Sequence, residues 1–135
     1  MGRIEKDFLG ERTLPDDVYY GVQTLRGKEN FHITGIPMSA EPCFVQALGY
    51  VKKAAALANR DLGVLDARVA DAIAAACDRL IAGDLLDQFV TDFIQGGAGT
   101  STNMNANEVI ANVALESLGY AKGDYHHVNP NDHVN

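Results

Sequence analysis

Apolar residues in the middle of the chain recur with a helical period. Between positions 39 and 63 they stand at every third or fourth position and are Phe44, Leu48, Val51, Ala55 and Ala58. This spacing predicts one long amphipathic helix that buries these side chains. We expect the helix to begin with Ser39 as its N-cap, to keep Pro42 in its first turn and to end at Gly63.

Two further helices follow from the same pattern. One is predicted from about Asp66 to about Gly83, with apolar positions at Val69, Ile73, Ala76, Cys77 and Leu80. The other ends at Gly119 and has a wider apolar arc, formed by Val109, Ile110, Val113, Ala114 and Leu118. So wide an arc predicts a helix that is buried on most sides.

The first part of the chain has a different pattern. Polar and apolar residues alternate in part around Gly10, which predicts a short hairpin or extended arm that ends at Pro15. The acidic pair Asp16 and Asp17 then precedes a short amphipathic helix, which we expect to end at Gly27. The predicted fold class is mainly α, a short β-hairpin arm followed by packed helices.

Composition narrows the class of protein. The chain has 135 residues, 47% of them hydrophobic and 21% charged, values that fit one globular domain. Its 11 basic and 18 acidic side chains are spread along the sequence, so no basic patch for nucleic acid is present. No apolar run reaches the roughly 20 residues of a membrane span, and the first residues lack a signal-peptide pattern, so we expect a cytoplasmic protein without a membrane partner.

Cysteine and histidine give no metal pattern. Cys43 and Cys77 both occupy apolar positions of predicted helices, so we expect two buried, reduced thiols. His126, His127 and His133 cluster in sequence, but neither cysteine is near them and their spacing matches no zinc motif. We therefore expect no metal site.

The segment QGGAGTSTNMNANEVIAN, residues 95–112, combines glycines with small neutral hydrogen-bonding side chains at the start of a helix. A nucleotide phosphate loop would need a Gly-Lys-Ser/Thr ending, which is missing. A helix-capping loop and a carboxylate-binding loop both fit, since a helix N-terminus offers free N–H groups and a positive dipole end. In the second interpretation Thr100, Ser101 and Thr102 bind the carboxylate together with the amides around Gly99.

This segment resembles the first signature of the fumarase/aspartase superfamily. RIEKDFLGERTLPDDVYYGVQTLRGKENFHITG resembles the amino-terminal arm of these enzymes, and NPNDHVN resembles the turn before their central helices. The resemblance covers nearly the whole chain. It implies that residues 1–135 are the amino-terminal lyase domain, with the central helical bundle and the carboxy-terminal domain outside this chain, and that the full-length subunit forms a homotetramer without a cofactor.

The resemblance also implies the chemistry. Enzymes of this superfamily eliminate a group from a small dicarboxylate through an aci-carboxylate intermediate, and their serine base lies on a later segment. We therefore expect no catalytic residue in this chain, an inactive isolated chain, and substrate-binding roles for Thr100, Ser101, Gly99 and Thr102. Asn129, Asn131 and Asp132 match a second dicarboxylate site of the fumarases, with Asn129 in the place of a histidine.

Within the superfamily, YYGVQTLRGKENF and NPNDHVN resemble the aspartase branch, which implies elimination of ammonia from L-aspartate to give fumarate. The alternatives are a class II fumarase and, for the isolated chain, a non-catalytic helical interaction domain. For the remaining polar residues of the segment we expect structural roles. Asn103, Asn105 and Asn107 are expected to bind backbone groups and neighbouring helix ends, not substrate, and Glu108 is expected to act as an ion-pair partner or first-turn acid.

Overall fold

The computed structural model describes residues 2–135, which fold into a two-stranded arm and four packed helices. The strands and helices are, in chain order, β1 (Gly2–Asp7), β2 (Gly10–Pro15), α1 (Val22–Asn30), α2 (Pro42–Asp61), α3 (Ala67–Ile81) and α4 (Thr100–Ser117). Short 3-10 turns lie at Met38–Ala40, Leu86–Gln88 and Gly97–Gly99, and a π-helical turn lies at Pro130–Val134. The predicted fold class is confirmed.

The hairpin forms as the alternation predicts. β1 and β2 pair antiparallel from Gly2 opposite Pro15 to Asp7 opposite Gly10. Gly10 has a φ of 111°, a value that side chains disfavour, so glycine suits this turn. The Arg3 guanidinium, from β1, donates to the carbonyls of Pro15, Val18 and Tyr20. The arm therefore fixes the extended segment that leads into α1.

The predicted buried face of α2 is wrong. Phe44 and Val51 are 48% and 62% exposed, whereas the helix buries a neighbouring face made of Val45, Gly49, Lys52 and Ala56. The cause is the close approach of α3: a Cβ on Gly49 would lie only 3.1 Å from the Leu80 Cβ. The face that carries the smallest residue packs inward because only it admits this helix contact.

Cys43 is exposed and Cys77 is buried, so the prediction of two buried thiols holds only for Cys77. Cys43 lies in the first turn of α2 and is not among the residues that this helix buries. Ser39 is not the N-cap of this helix, because it belongs to the preceding 3-10 turn and Glu41 occupies the cap position. Pro42 is the first helical residue, as the missing proline N–H favours.

α1 is shorter at its start and longer at its end than predicted. It begins at Val22 and continues through Gly27 to Asn30. Gly27 does not stop the helix; it is buried, and a Cβ there would lie 3.2 Å from the Ser101 Cβ. Gly27 thus allows α1 to pack closely against the first turn of α4.

α3 and α4 follow their predictions more closely. Asp66 caps α3 by accepting a hydrogen bond from the Val69 amide, and Gly83 follows the helix with a φ of 92°. Every residue of α4 from Met104 to Leu115 is buried, which confirms the prediction from the wide apolar arc. α4 contacts α1, α2 and α3, so it is the central helix of the fold. Within residues 2–135 no helix is both long and apolar enough to cross a membrane.

Candidate carboxylate-binding site

The loop that leads into α4 has an unusual backbone. Gly97, Ala98 and Gly99 have φ angles of 69°, 54° and 86° in succession. Two of these left-handed positions are glycines, but Ala98 carries a Cβ that disfavours this region by roughly 1–2 kcal/mol. Since strained backbone concentrates at functional sites, this loop is a candidate for one.

Thr100 and Thr102 are placed differently at the start of α4. Thr100 is exposed, and its hydroxyl donates to the Gly97 carbonyl at 2.5 Å. Thr102 is buried, and its amide and hydroxyl bind the two polar atoms of the Gln95 side chain, both at 2.7 Å. Gln95 therefore caps the helix through Thr102, whereas the Thr100 hydroxyl has only to rotate to meet a ligand.

The predicted substrate-binding residues face two different grooves. Thr100 and Ser101 line a groove of about 320 Å³ together with Arg26. Gly99 and Thr102 line another groove, of about 700 Å³, whose walls include apolar side chains of α2. The structure thus brings Thr100 and Ser101 together on one side and separates them from Gly99 and Thr102.

Arg26 is the cation of the groove that contains Thr100. Its guanidinium donates two hydrogen bonds of 2.8 Å to the Asp7 carboxylate and a third to the Gly10 carbonyl. The hydrogen bond from Arg26 lowers the pKa of Asp7. Because Asp7 balances the charge of Arg26, the hydroxyls, amides and dipole of α4 are the groups left to hold an anion.

Glu108 contradicts the prediction of an ion-pair partner or first-turn acid. It lies in the interior of α4, is 1% exposed, and its partners within residues 2–135 are amides and a hydroxyl. The carboxylate accepts hydrogen bonds from the amides of Gly21, Gln23 and Thr24 and from the Thr24 hydroxyl. Glu108 therefore caps the N-terminus of α1 and locks it against α4.

Opposing effects act on the pKa of Glu108. Burial raises the pKa of Glu108, while the hydrogen bonds from Thr24 and Gln23 act in the opposite direction. Glu5 is a second buried carboxylate nearby, and it accepts hydrogen bonds from the Val22 amide and the Tyr125 hydroxyl. The first turn of α1 is thus held by two carboxylates from different elements.

The three asparagines with predicted structural roles, Asn103, Asn105 and Asn107, have different partners. Asn105 is fully buried, donates to the Gln88 carbonyl and accepts from the Val90 amide, as predicted. Asn103 and Asn107 do not bind backbone, but both donate to the side chain of Asn135 at the end of the Pro130–Val134 turn, so they bind a neighbouring helix end, which was the other part of the prediction.

Asn129, Asn131 and Asp132 come together at the Pro130–Val134 turn. The Asn129 side chain accepts hydrogen bonds from the amides of Asn131 and Asp132, so its carbonyl oxygen serves the turn itself. All three residues line a groove of about 860 Å³ with Lys6. This groove shares Asp7 and Gln23 with the groove of Thr100, so the two lie side by side.

Gln95 and Arg26 were not singled out from the sequence. Gln95 stands seven residues before its partner Thr102, and Arg26 stands nineteen residues after Asp7. No local spacing rule joins such pairs, since a loop and a packed hairpin bring them together. The one sequence signal for Gln95 was its place directly before the glycines that lead into α4, where a glutamine side chain can cap the helix.

The second strand of the hairpin arm, β2, the buried helix α4 and the glycine loop at its start lie within the region that a known family model matches. A family model described as lyase matches residues 10–135, and the chain belongs to this family.

The chain is similar to aspartate ammonia-lyases along nearly its whole length. It is 59% identical over 133 residues to the aspartate ammonia-lyase of Pseudomonas aeruginosa and 57% identical over 133 residues to that of Helicobacter pylori strain J99. It is 55% identical over 134 residues to that of Escherichia coli K12. Each match covers 98% of this chain, which spans 28% of the length of these relatives.

Solved structures show the same fold. A fumarate lyase:delta crystallin from Brucella melitensis matches with a TM-score of 0.98 and 56% identity, over 100% of this chain and 31% of that one. A class II fumarase from Schistosoma mansoni matches with a TM-score of 0.90 and 36% identity, over 100% of this chain and 28% of that one. The resemblance inferred from the signature segment is confirmed.

Proposed function

We propose that this chain is the amino-terminal domain of a longer, tetrameric lyase that converts L-aspartate to fumarate and ammonia. The observation that carries the proposal is the exposed Thr100 hydroxyl beside Ser101 at the start of the buried helix α4. The sequence identity of 55–59% to aspartate ammonia-lyases over 98% of the chain supports aspartate as the substrate.

The reaction needs stabilisation of negative charge. A base outside this chain removes a proton from the carbon next to the β-carboxylate, and the electron pair moves onto that carboxylate to give the aci-carboxylate. When the electrons return, the carbon–carbon double bond of fumarate forms and the carbon–nitrogen bond breaks, releasing ammonia. Groups that bind the carboxylate oxygens more strongly as this charge develops accelerate the reaction.

Thr100, Ser101 and the dipole of α4 suit this task because they are neutral, preorganised donors. Each donor of this kind contributes about 3 kcal/mol to transition-state stabilisation when it faces the developing oxyanion. Thr102 has a smaller role in this account, because Gln95 occupies both its amide and its hydroxyl.

A class II fumarase is the second candidate, supported by the TM-score of 0.90 with the Schistosoma mansoni enzyme. The same loop would serve both reactions, since malate and aspartate both give fumarate. Identity favours the aspartate reaction, being 36% with that fumarase and 59% with the Pseudomonas aeruginosa relative.

Two chimeras test the proposal. In one, this chain replaces the matching region of the Pseudomonas aeruginosa aspartate ammonia-lyase; in the other, it replaces that of the Schistosoma mansoni fumarase. Fumarate formation is followed by its ultraviolet absorbance, and folding by circular dichroism and sedimentation. We expect the first chimera to act on L-aspartate within about tenfold of its parent and the second to lose most malate activity. A folded but inactive first chimera beside an active second one contradicts the proposal.

A further inference from the structure

Lys52 is a buried cation that the proposed chemistry leaves unused. It lies on the face of α2 that packs inward and is only 7% exposed. Its ammonium donates a hydrogen bond of 2.8 Å to the Asn103 Oδ1, and no ion pair joins it to a carboxylate within residues 2–135. The adjacent Lys53 differs, because it forms an ion pair of 2.6 Å with Asp78 at the surface.

The contact of Lys52 continues into a chain of amide side chains. Asn103 donates from its Nδ2 to the Asn135 Oδ1 at 2.9 Å, and Asn107 donates to the same oxygen at 3.2 Å. Lys52 and these three asparagines, which we call the Lys52 cluster, join α2, α4 and the residue after the Pro130–Val134 turn. The cluster thus links the two segments to which sequence analysis assigns carboxylate sites.

Stability does not account for the Lys52 cluster. Burial lowers the pKa of Lys52, because an ammonium loses hydration that one neutral amide replaces only in part. The Asn107 Oδ1 is also buried and has no hydrogen-bond partner among residues 2–135. An apolar side chain of similar length at position 52 would remove the cost of the buried charge.

The location of Lys52 beside the first turn of α4 indicates what this lysine does. Asn103 follows Thr100 by three residues, which is about 4.5 Å along the helix axis and nearly one turn. A hydrogen bond to Asn103 therefore fixes the first turn of α4, where Thr100 and Ser101 face their groove. The positive charge also lies beside the end of the helix that attracts anions.

We propose that Lys52 is a positioning residue for substrate binding: through Asn103 it holds the first turn of α4 in place, and its charge strengthens the anion-binding end of that helix. This proposal rests on the proposed function. Because the charge acts on the bound dicarboxylate before and during the reaction, its loss should weaken substrate binding more than it slows the chemical step.

The test compares three variants in the aspartate ammonia-lyase chimera. Lys52→Met removes both the charge and the donor, Lys52→Gln keeps an N–H donor without the charge, and Lys53→Met is the matched surface control. We expect Lys52→Met to raise KM for L-aspartate about tenfold and to change kcat by less than about threefold. Lys52→Gln should also raise KM, by less, and Lys53→Met should stay within about twofold of the unmodified chimera.

Thermal melting and Thr100→Val complete the design. A lower Tm for both Lys52 variants with an unchanged KM would show a purely structural role and overturn the inference. If Lys52→Met proves insoluble, the KM of Lys52→Gln decides by the same criterion. Thr100→Val separates the two proposals. A normal kcat/KM in Thr100→Val refutes carboxylate binding by the loop itself. A reduced kcat/KM in Thr100→Val, together with an unchanged KM in the Lys52 variants, refutes only the role of Lys52.

Discussion

Removal of the Glu108 carboxylate should destabilise the domain severely, because this group holds the start of α1. Glu108→Ala leaves four donors without their acceptor: the amides of Gly21, Gln23 and Thr24 and the Thr24 hydroxyl. Three of these donors belong to buried residues, Gly21 and Thr24. Each buried donor left unsatisfied costs about 1–3 kcal/mol, and relief of the buried charge offsets part of the sum, so we expect a loss of about 4 kcal/mol.

Glu108→Gln and Glu116→Ala provide the comparison. Glutamine keeps one carbonyl oxygen for the Gly21 and Thr24 donors but turns its NH2 toward the Gln23 amide, so we expect a loss of about 2 kcal/mol. Glu116 lies on the same helix, is exposed and accepts a hydrogen bond from the Tyr19 hydroxyl at 2.5 Å. Its replacement by alanine should cost at most about 1 kcal/mol.

Urea unfolding of the chain, followed by circular dichroism, measures these differences in the free energy of unfolding. Hydrogen exchange should also show faster exchange of the Thr24 amide in Glu108→Ala. If Glu108→Ala and Glu116→Ala lower the free energy of unfolding equally, Glu108 does not cap α1 and the reasoning is refuted.

Three further outcomes follow. Although burial opposes it, hydrogen bonds from Ile94, Thr34 and Gly35 lower the pKa of Asp92 to about 2. The contribution of the Asp92 carboxylate to the free energy of unfolding is therefore complete above about pH 4 and is lost as pH falls toward 2. In Asp92→Asn the urea midpoint should change less between about pH 4 and about pH 2 than in the unmodified chain, and an equal change in both contradicts this. Cys43 should react with a thiol reagent in the folded chain, whereas Cys77, buried and with a pKa raised to about 12, should react only after unfolding; equal rates contradict this. The isolated chain should form no fumarate from aspartate or malate and should sediment below a tetramer, and turnover of either substrate would refute this.

Local signals explain which parts of the fold the sequence predicts well. The bounds of α3 follow from a capping aspartate and a terminal glycine, Asp66 and Gly83, which act within a few residues of the helix. Local signals do not predict which face of α2 is buried, because this depends on the approach of α3 to Gly49. A helical period identifies an amphipathic helix but does not decide between two neighbouring faces when small residues control the packing.

The candidate site shows the same limit. Its location at the start of α4 is predictable, since the glycines and the small polar residues are contiguous in the sequence. The role of Glu108 is not predictable from the sequence, because its partners Gly21 and Thr24 lie 87 and 84 residues away from it. Long-range partners likewise decide that Thr100 is exposed beside Arg26 while Thr102 is tied to Gln95.

The central claim, that the start of α4 binds the reacting carboxylate through Thr100, is tested most directly by kcat/KM for L-aspartate in the aspartate ammonia-lyase chimera. Thr100→Val removes the hydroxyl and keeps the side-chain volume, and Thr102→Val is its matched control. We predict that Thr100→Val lowers kcat/KM at least about tenfold with an unchanged Tm, and that Thr102→Val lowers it less. A Thr100→Val chimera with the activity of its parent, beside an impaired Thr102→Val chimera that melts at the same temperature, would contradict the account.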